Sequence, residues 1–247
     1  MTVEAFAKIN WTLEVLNPRP DGYHDLRSIV LPVGLHDTVT LEKAASITCA
    51  MPGLDVAQEA NLAYRAAVAL KTATDVTCGA RIVIEKRIPS GAGLGGGSAD
   101  AAAVLNGLNR LWALNLPEAE LCAIAARVGS DVPALTLGGP VLMEGRGERV
   151  RRLRPEECVA LPRPEEIVVF APDIFASTPA VYREFRAADR GHGPNDLQPA
   201  ALRLYPGIGE ALHRLEQQGL ARVTMSGSGS AVYGVKAGAL RDFLTFP

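Results

Sequence analysis

The sequence predicts an α+β protein of two lobes. Strand-like alternation and helix-like spacing mix in both halves of the 247 residues, and the mixture restarts beyond about residue 153. A chain of this length, 48% hydrophobic, buries one large core or two smaller ones. The third observation is PSGAGLGGGSADAA at residues 89–102. Five glycines fall there within seven residues, between a strand-like run and a helix-like run.

Taken in order, AFAKINWTLEVL alternates as a strand does. NPRPDGYHDL is a turn-rich loop with Asp21-Gly22 as its tightest point. RSIVLPVGL and DTVTLEKA read as two further strands. EANLAYRAAVALKTAT has Leu62, Ala66, Val68, Ala69 and Ala73 at helical spacing, and Asn61 is placed to begin that helix. ARIVIEK is the strand that delivers the chain into the glycines. The next helix carries Val104, Leu105, Leu108, Leu111 and Trp112 on one face. PEAELCAIAARVG reads as a helix, followed by SDVPAL and the strand GGPVLMEG. RVRRLR, residues 149–154, is a basic cluster best read as a solvated strand or connector. EEIVVFAP then restarts the pattern as a strand, TPAVYREF as a helix, and residues 194–219 as one or two helices. ARVTMSG and SAVYGVKA are strands joined by a second glycine turn. The expected units are residues 1–153 and 154–247.

Strand, glycine loop and helix together form a phosphate cradle. Glycines let backbone N–H groups approach an anion without interference from Cβ, and the helix that follows presents its positive end. A Walker A loop would need Lys and then Ser or Thr directly after its last glycine, whereas Gly97 is followed by Ser98, Ala99 and Asp100. Gly91, Gly93 and Gly96 satisfy G-x-G-x-x-G. The acidic residues at the distance a dinucleotide fold requires, Glu118 and Glu120, open a helix instead of ending a strand. A glycine-rich turn without a ligand is the plain alternative. It would spend folding entropy on five clustered glycines to no purpose.

Net charge is −2, so the chain as a whole is no polyanion binder, and no nucleic-acid partner is expected. No run of eighteen apolar residues occurs, and the first strand begins within ten residues of the start. A cytoplasmic protein without a membrane partner is expected. The cysteines at 49, 78, 122 and 158 have no C-x-x-C spacing and read as reduced thiols. No feature of the sequence fixes an oligomeric state.

PSGAGLGGGSADAA resembles the phosphate loop of the GHMP kinases, the family of galactose, homoserine, mevalonate and related small-molecule kinases. AFAKIN with DGYH near the start and VTMSGSGSAVYGV near the end resemble its other motifs, in order along nearly the whole chain. AKIN, DGYH and GSDVP together resemble the branch whose acceptor is a cytidine-diphosphate-linked methylerythritol, on the route to isoprenoid precursors. The resemblance implies a two-lobed fold with the active site in the interlobe cleft, ATP as phosphate donor and Mg2+ as companion. It implies Lys8 and Asp131 as the catalytic pair. The nucleotide would lie on Pro89, Gly91, Ala92, Gly93, Leu94, Gly95, Gly96, Gly97 and Ser98, with Asn61 near the adenine. Tyr23 and Tyr182 would flank the cytosine, His24 would hydrogen-bond to it, Asn10 would meet the methylerythritol, and Thr178 would join the acceptor side.

Without the resemblance, Asp131 and Asn61 read as helix N-caps and Lys8 as a strand lysine. Ser98 reads as a cap, Tyr23 as a loop anchor and Tyr182 as helix packing. No metal ligand is named, Asp100 being a weak candidate that the helix dipole also favours. Another kinase of the family, of homoserine or mevalonate type, and a nucleotide-binding protein that lost catalysis remain open alternatives. Where the family continues with a helix and a further strand, KAGALRDFLTFP ends at Pro247, so a shortened second lobe is expected.

Overall fold

The alternation of AFAKINWTLEVL becomes one long strand, β1 (Thr2–Pro18), paired antiparallel with the longer β2 (His24–Ala44). The computed structural model describes residues 1–20 and 22–238, so Asp21 of the expected turn and the expected shortening beyond residue 238 lie outside the described residues. RSIVLPVGL and DTVTLEKA, expected as two strands, are one: β2 runs through Pro32 and Gly34. A register irregularity between the pairs Phe6–His36 and Lys8–Pro32 absorbs two extra residues of β2. A proline in a strand is tolerated at such an irregularity because its missing N–H leaves no ladder bond broken.

The outer edge of β2 is shared. Its first part pairs with β5 (Val141–Gly145), and its last part pairs with β4 (Gly79–Glu85). β3 (Thr48–Ala50) joins β4 in parallel, and the basic β6 (Arg149–Arg152) closes the other side on β5. Helices α1 (Leu62–Thr74), α2 (Gly96–Leu111), α3 (Glu118–Val128) and α4 (Val132–Leu137) pack with this sheet. The mostly antiparallel pairing removes the dinucleotide reading, since that fold needs a parallel sheet around the glycine loop.

After the short α5 (Pro155–Cys158), a second sheet has the order β7 (Ile167–Phe170), β9 (Val232–Val235), β8 (Ala221–Met225), all antiparallel. With it go α6 (Thr178–Glu184), α7 (Gln198–Leu204) and α8 (Gly207–Gln217).

Two main cores result, and β1 serves both. Ala5, Ala7, Ile9 and Trp11 lie in the core of the large sheet, whereas Leu13 and Val15 lie in the core built by α6, α7 and α8. All six are odd positions and would share one face of a regular strand. The register of β1 on β2 slips by one residue between Asn10 and Thr12, placing an extra residue in β1. A one-residue slip turns every later side chain to the opposite face. That bulge is why a single alternating run feeds two cores.

Ile9→Ala and Leu13→Ala, both at buried positions, should each cost about 2–5 kcal/mol. Because they belong to different clusters, the double variant should show the sum of the two losses to within about 0.5 kcal/mol in urea unfolding. A marked departure from that sum would mean that the two positions are energetically coupled through β1.

Candidate active site

The glycine loop folds onto β1. Gly91, Gly93 and Gly95 all take positive φ, between +69° and +75°, which L side chains rarely adopt. At Gly93 a Cβ would fall 2.3 Å from the carbonyl oxygen of Ser226, so no other residue fits that contact. Three successive loop carbonyls are held by the rest of the protein. Ala231 N–H donates to Ala92 O at 2.9 Å, Ser226 Oγ donates to Gly93 O at 3.0 Å, and Lys8 N–H donates to Leu94 O at 3.0 Å. The loop is thereby pinned between β1 and the second glycine turn. Gly95 is the residue that opens α2, and no side chain caps the helix. The expected capping by Ser98 is therefore not found: Ser98 stands in the first turn of α2 and lines the cleft. An uncapped helix start leaves backbone N–H groups for an anion. A cradle that a Cβ would fill, followed by such a helix start, fits a bound phosphate.

The cleft beside this loop has a volume of about 760 Å³. Lys8, Asn10, Tyr23, His24, Gly93, Ser98, Asp131, Thr178 and Tyr182 all reach its wall. Lys8, nearly fully buried, places Nζ 3.3 Å from Asp131 Oδ2 and donates to Asn10 Oδ1 at 2.6 Å. Asp131 does stand at the N-cap position of α4, as its plain reading expects, but its side chain makes no capping bond and turns to Lys8 instead. Asn61 is different: its side chain accepts from Ala63 N at 2.9 Å and so caps α1. Asn61, Pro89, Gly91, Ala92, Leu94, Gly95, Gly96 and Gly97 are not on the cleft wall. Ala92 and Leu94 bury their side chains, so their part in the loop is played by the backbone.

On the opposite wall the aromatic residues come together differently from their sequence reading. Tyr182 stacks on His24, with centroids 5.9 Å apart and planes 24° from parallel. Phe185 meets the His24 ring edge-on at 6.0 Å. Tyr23 is half exposed, and the Arg146 guanidinium lies 3.8 Å above its ring. Burial raises the Tyr182 phenol well above its ordinary range, with the Asp131 carboxylate adding to the shift, so the ring stays neutral. Thr178 and Ser228 share a hydroxyl hydrogen bond of 2.7 Å across the mouth. Arg146, Arg183, Met143 and Ser228 also line the cleft. Sequence reasoning passed over Arg146, Arg183 and Met143 as site residues, because nothing in MEGRGER or VYREF distinguishes a cleft arginine from a surface one. Ser228 lies in the second glycine turn, read from the sequence either as a phosphate-positioning turn or as a tight strand connection.

Among the described residues no three His, Cys, Asp or Glu side chains gather as a metal cage. Asp131 is the acidic side chain among the described lining residues. Asp100, the weak metal candidate of the sequence, is buried behind the loop and ion-paired with Lys86, whose Nζ lies 2.7 Å from its Oδ2. Lys86 also pairs with the buried Asp37, whose other oxygen accepts the backbone N–H groups of Arg87 and Ile88. One ammonium thus serves two buried carboxylates, and Asp100 Oδ1 has no hydrogen-bond partner among the described residues. Burial pushes the Asp100 carboxyl up to about 7, with Lys86 opposing the shift and Asp37 adding to it.

The comparisons with known proteins agree with this geometry. Residues 61–139 match the family described as GHMP kinases N terminal domain, and residues 178–241 match GHMP kinases C terminal. The chain is 41% identical over 261 residues to a 4-diphosphocytidyl-2-C-methyl-D-erythritol kinase of Symbiobacterium thermophilum, covering 95% of this chain and 90% of that one. It is 39% identical to the kinase of the same name from Pelotomaculum thermopropionicum, over 96% and 89% of the two chains. A crystal structure of a 4-(cytidine 5'-diphospho)-2C-methyl-D-erythritol kinase superposes with a TM-score of 0.80 at 39% identity, covering 96% of this chain and 91% of that one. A crystal structure of mevalonate kinase, at 13% identity and a TM-score of 0.65, shares the fold.

A carboxyl whose folded pKa lies above its ordinary 3.8 holds its proton in the native state while the unfolded chain has lost it. Its contribution to stability is therefore fully present below about pH 4 and falls as pH rises toward about 7, levelling off above. The stability of the protein relative to an Asp100→Asn variant should decline from pH 5 to pH 7 in urea titrations. A difference that stays flat or rises over that window would mean that Asp100 is ionised throughout.

Proposed function

The chain belongs to the GHMP kinases, and on that premise we propose that it transfers the γ-phosphate of ATP to the 2-hydroxyl of 4-diphosphocytidyl-2-C-methyl-D-erythritol, in the route to isoprenoid precursors. The observation that carries this reading is the pairing of Lys8 with Asp131 at 3.3 Å on the wall of the cleft, beside the glycine loop. Phosphoryl transfer needs little covalent chemistry from a protein. It needs alignment, charge neutralisation and an acceptor for the hydroxyl proton.

Asp131 is the proton acceptor in this reading, since it is the carboxylate among the described lining residues and its side chain is partly open to the cleft. Lys8 pairs with Asp131 and stabilises negative charge as it develops on the transferring group. Gly93, Ser98 and the start of α2 receive the phosphates through backbone N–H groups, the rest of residues 89–97 shaping the loop behind them. Asn61 positions the start of α1 near the base of the nucleotide. Tyr23, His24 and Tyr182, with Thr178, form the acceptor wall, where aromatic faces suit a pyrimidine. Mg2+ belongs to the same reading and would supply charge neutralisation for the phosphates when bound. The donor set fits an ion carried mainly by the phosphates, with Asp131 the nearby acid. Lys8 and Asp131 are present and paired, which counts against a binding protein of this fold that has lost catalysis.

The division into units 1–153 and 154–247 and a cytoplasmic setting are part of this proposal. No helix among the described residues is long and apolar enough to cross a membrane.

ADP release from Mg-ATP should depend on the cytidylyl acceptor and not appear with homoserine or mevalonate. Asp131→Asn should lower kcat by about 10²–10⁴-fold, and Lys8→Ala by about 10²–10³-fold, with the fold retained by circular dichroism. Turnover of homoserine or mevalonate in place of the cytidylyl compound would reassign the acceptor. Near-normal turnover of either variant would remove that residue from the chemistry.

A further inference from the structure

Lys8 reaches Asp131 from a strand, and a lysine side chain has enough rotatable bonds to point elsewhere. Its direction is set by Asn10, whose Oδ1 accepts from Lys8 Nζ at 2.6 Å. An amide offers an acceptor on one side and a donor on the other, so everything depends on which way Asn10 is turned.

That choice is made by Ser28, a fully buried residue of β2. Ser28 Oγ donates its one proton to the carbonyl of Thr12 at 2.6 Å. It can then only accept from Asn10, and Asn10 Nδ2 donates to it at 2.7 Å. The nitrogen of the amide is thus committed to Ser28, and the oxygen faces the lysine. Asn10 is itself anchored at both backbone ends, its N–H donating to Ser226 Oγ at 3.3 Å and its carbonyl accepting from Tyr233 Oη at 3.0 Å. The side chain therefore has little to settle except the orientation of its amide. With the amide reversed, an NH2 group would face the ammonium, and a carbonyl oxygen would face a hydroxyl whose proton is already used.

We propose that Ser28 is a positioning residue for phosphoryl transfer: acting through the Asn10 amide, its hydroxyl holds the Lys8 ammonium against Asp131. The chain Thr12, Ser28, Asn10, Lys8, Asp131 runs from a strand carbonyl to the reacting carboxylate. This inference rests on the kinase reading above and assigns Asn10 a part in orienting Lys8 in addition to any contact with the acceptor.

The test is Ser28→Ala in the full chain, with Mg-ATP and 4-diphosphocytidyl-2-C-methyl-D-erythritol as substrates. Rates are taken per mole of enzyme that binds an ATP analogue, so any unfolded fraction drops out. We expect kcat to fall about tenfold or more, the scale of one unmade buried hydrogen bond, with both KM values within about threefold of the parent. The double variant Asn10→Ala/Ser28→Ala should be no slower than Asn10→Ala alone, because Ser28 has no route to the lysine without the amide. A kcat within twofold of the parent, a loss confined to thermal stability, or losses that multiply in the double variant would each overturn the proposal. Absence of acceptor-dependent ADP release in the parent protein would instead overturn the kinase reading on which it rests.

Discussion

Everything in this protein hangs on the edge of β1 that faces away from β2. A strand edge is a row of N–H and C=O groups that must find partners. Here they are taken in turn by the parts that make the site. Lys8 N–H goes to the glycine loop, Asn10 N–H to the second glycine turn, and Leu13 and Val15 N–H to Pro194 O and the Asp196 carboxylate. One strand thereby sets the distance between the glycine loop, the lysine and the second sheet. The bulge after Asn10 completes the arrangement, because it lets the same strand anchor the core on either side of the cleft.

The two lysines flanking the glycine loop have opposite surroundings and opposite uses. Lys86 lies behind the loop, between two buried carboxylates, where it ties the end of β4 and the first turns of α2 to β2. Its charge is consumed by structure. Lys8 lies in front, with a neutral amide on one side and a carboxylate partly open to the cleft on the other. A cation held this way still has charge to offer to an incoming anion. Low local dielectric strengthens both arrangements, but only the second faces a cavity.

The aromatic wall of the cleft is built by stacking. His24 comes from the start of β2 and Tyr182 from α6, so the contact ties the large sheet to the helices of the second core. Thr178 and Ser228 add a hydroxyl bridge nearby, and Arg146 covers Tyr23 from the end of β5. An aromatic and basic wall facing the Asp131 carboxylate suits a ligand that carries a flat base at one end and phosphate groups in the middle.

Residue type and order along the chain were enough to identify the glycine loop, the strand that precedes it and the helix that follows, because glycine clustering and apolar spacing are local properties. The motif resemblance to the GHMP kinases, and not residue type alone, singled out Lys8, Asp131, Tyr23, His24 and Tyr182, all of which reach one cavity. What the sequence could not carry is everything that depends on where a side chain turns. Asn61 and Asp131 carry the same capping signature, yet one caps its helix and the other abandons the cap for a lysine 123 positions away, at 3.3 Å. The alternation of Ala5 through Val15 reads as one apolar face, and only pairing with β2 introduces the extra residue that divides it between two cores. Ser28 and Arg146 carry no local signal at all. The sequence by itself determined most of the elements and the chemical groups, since those follow from local propensity and residue type. Tertiary structure alone decided register, amide orientation and partner choice, since each is set by hydrogen bonds to strands and loops far away in the chain.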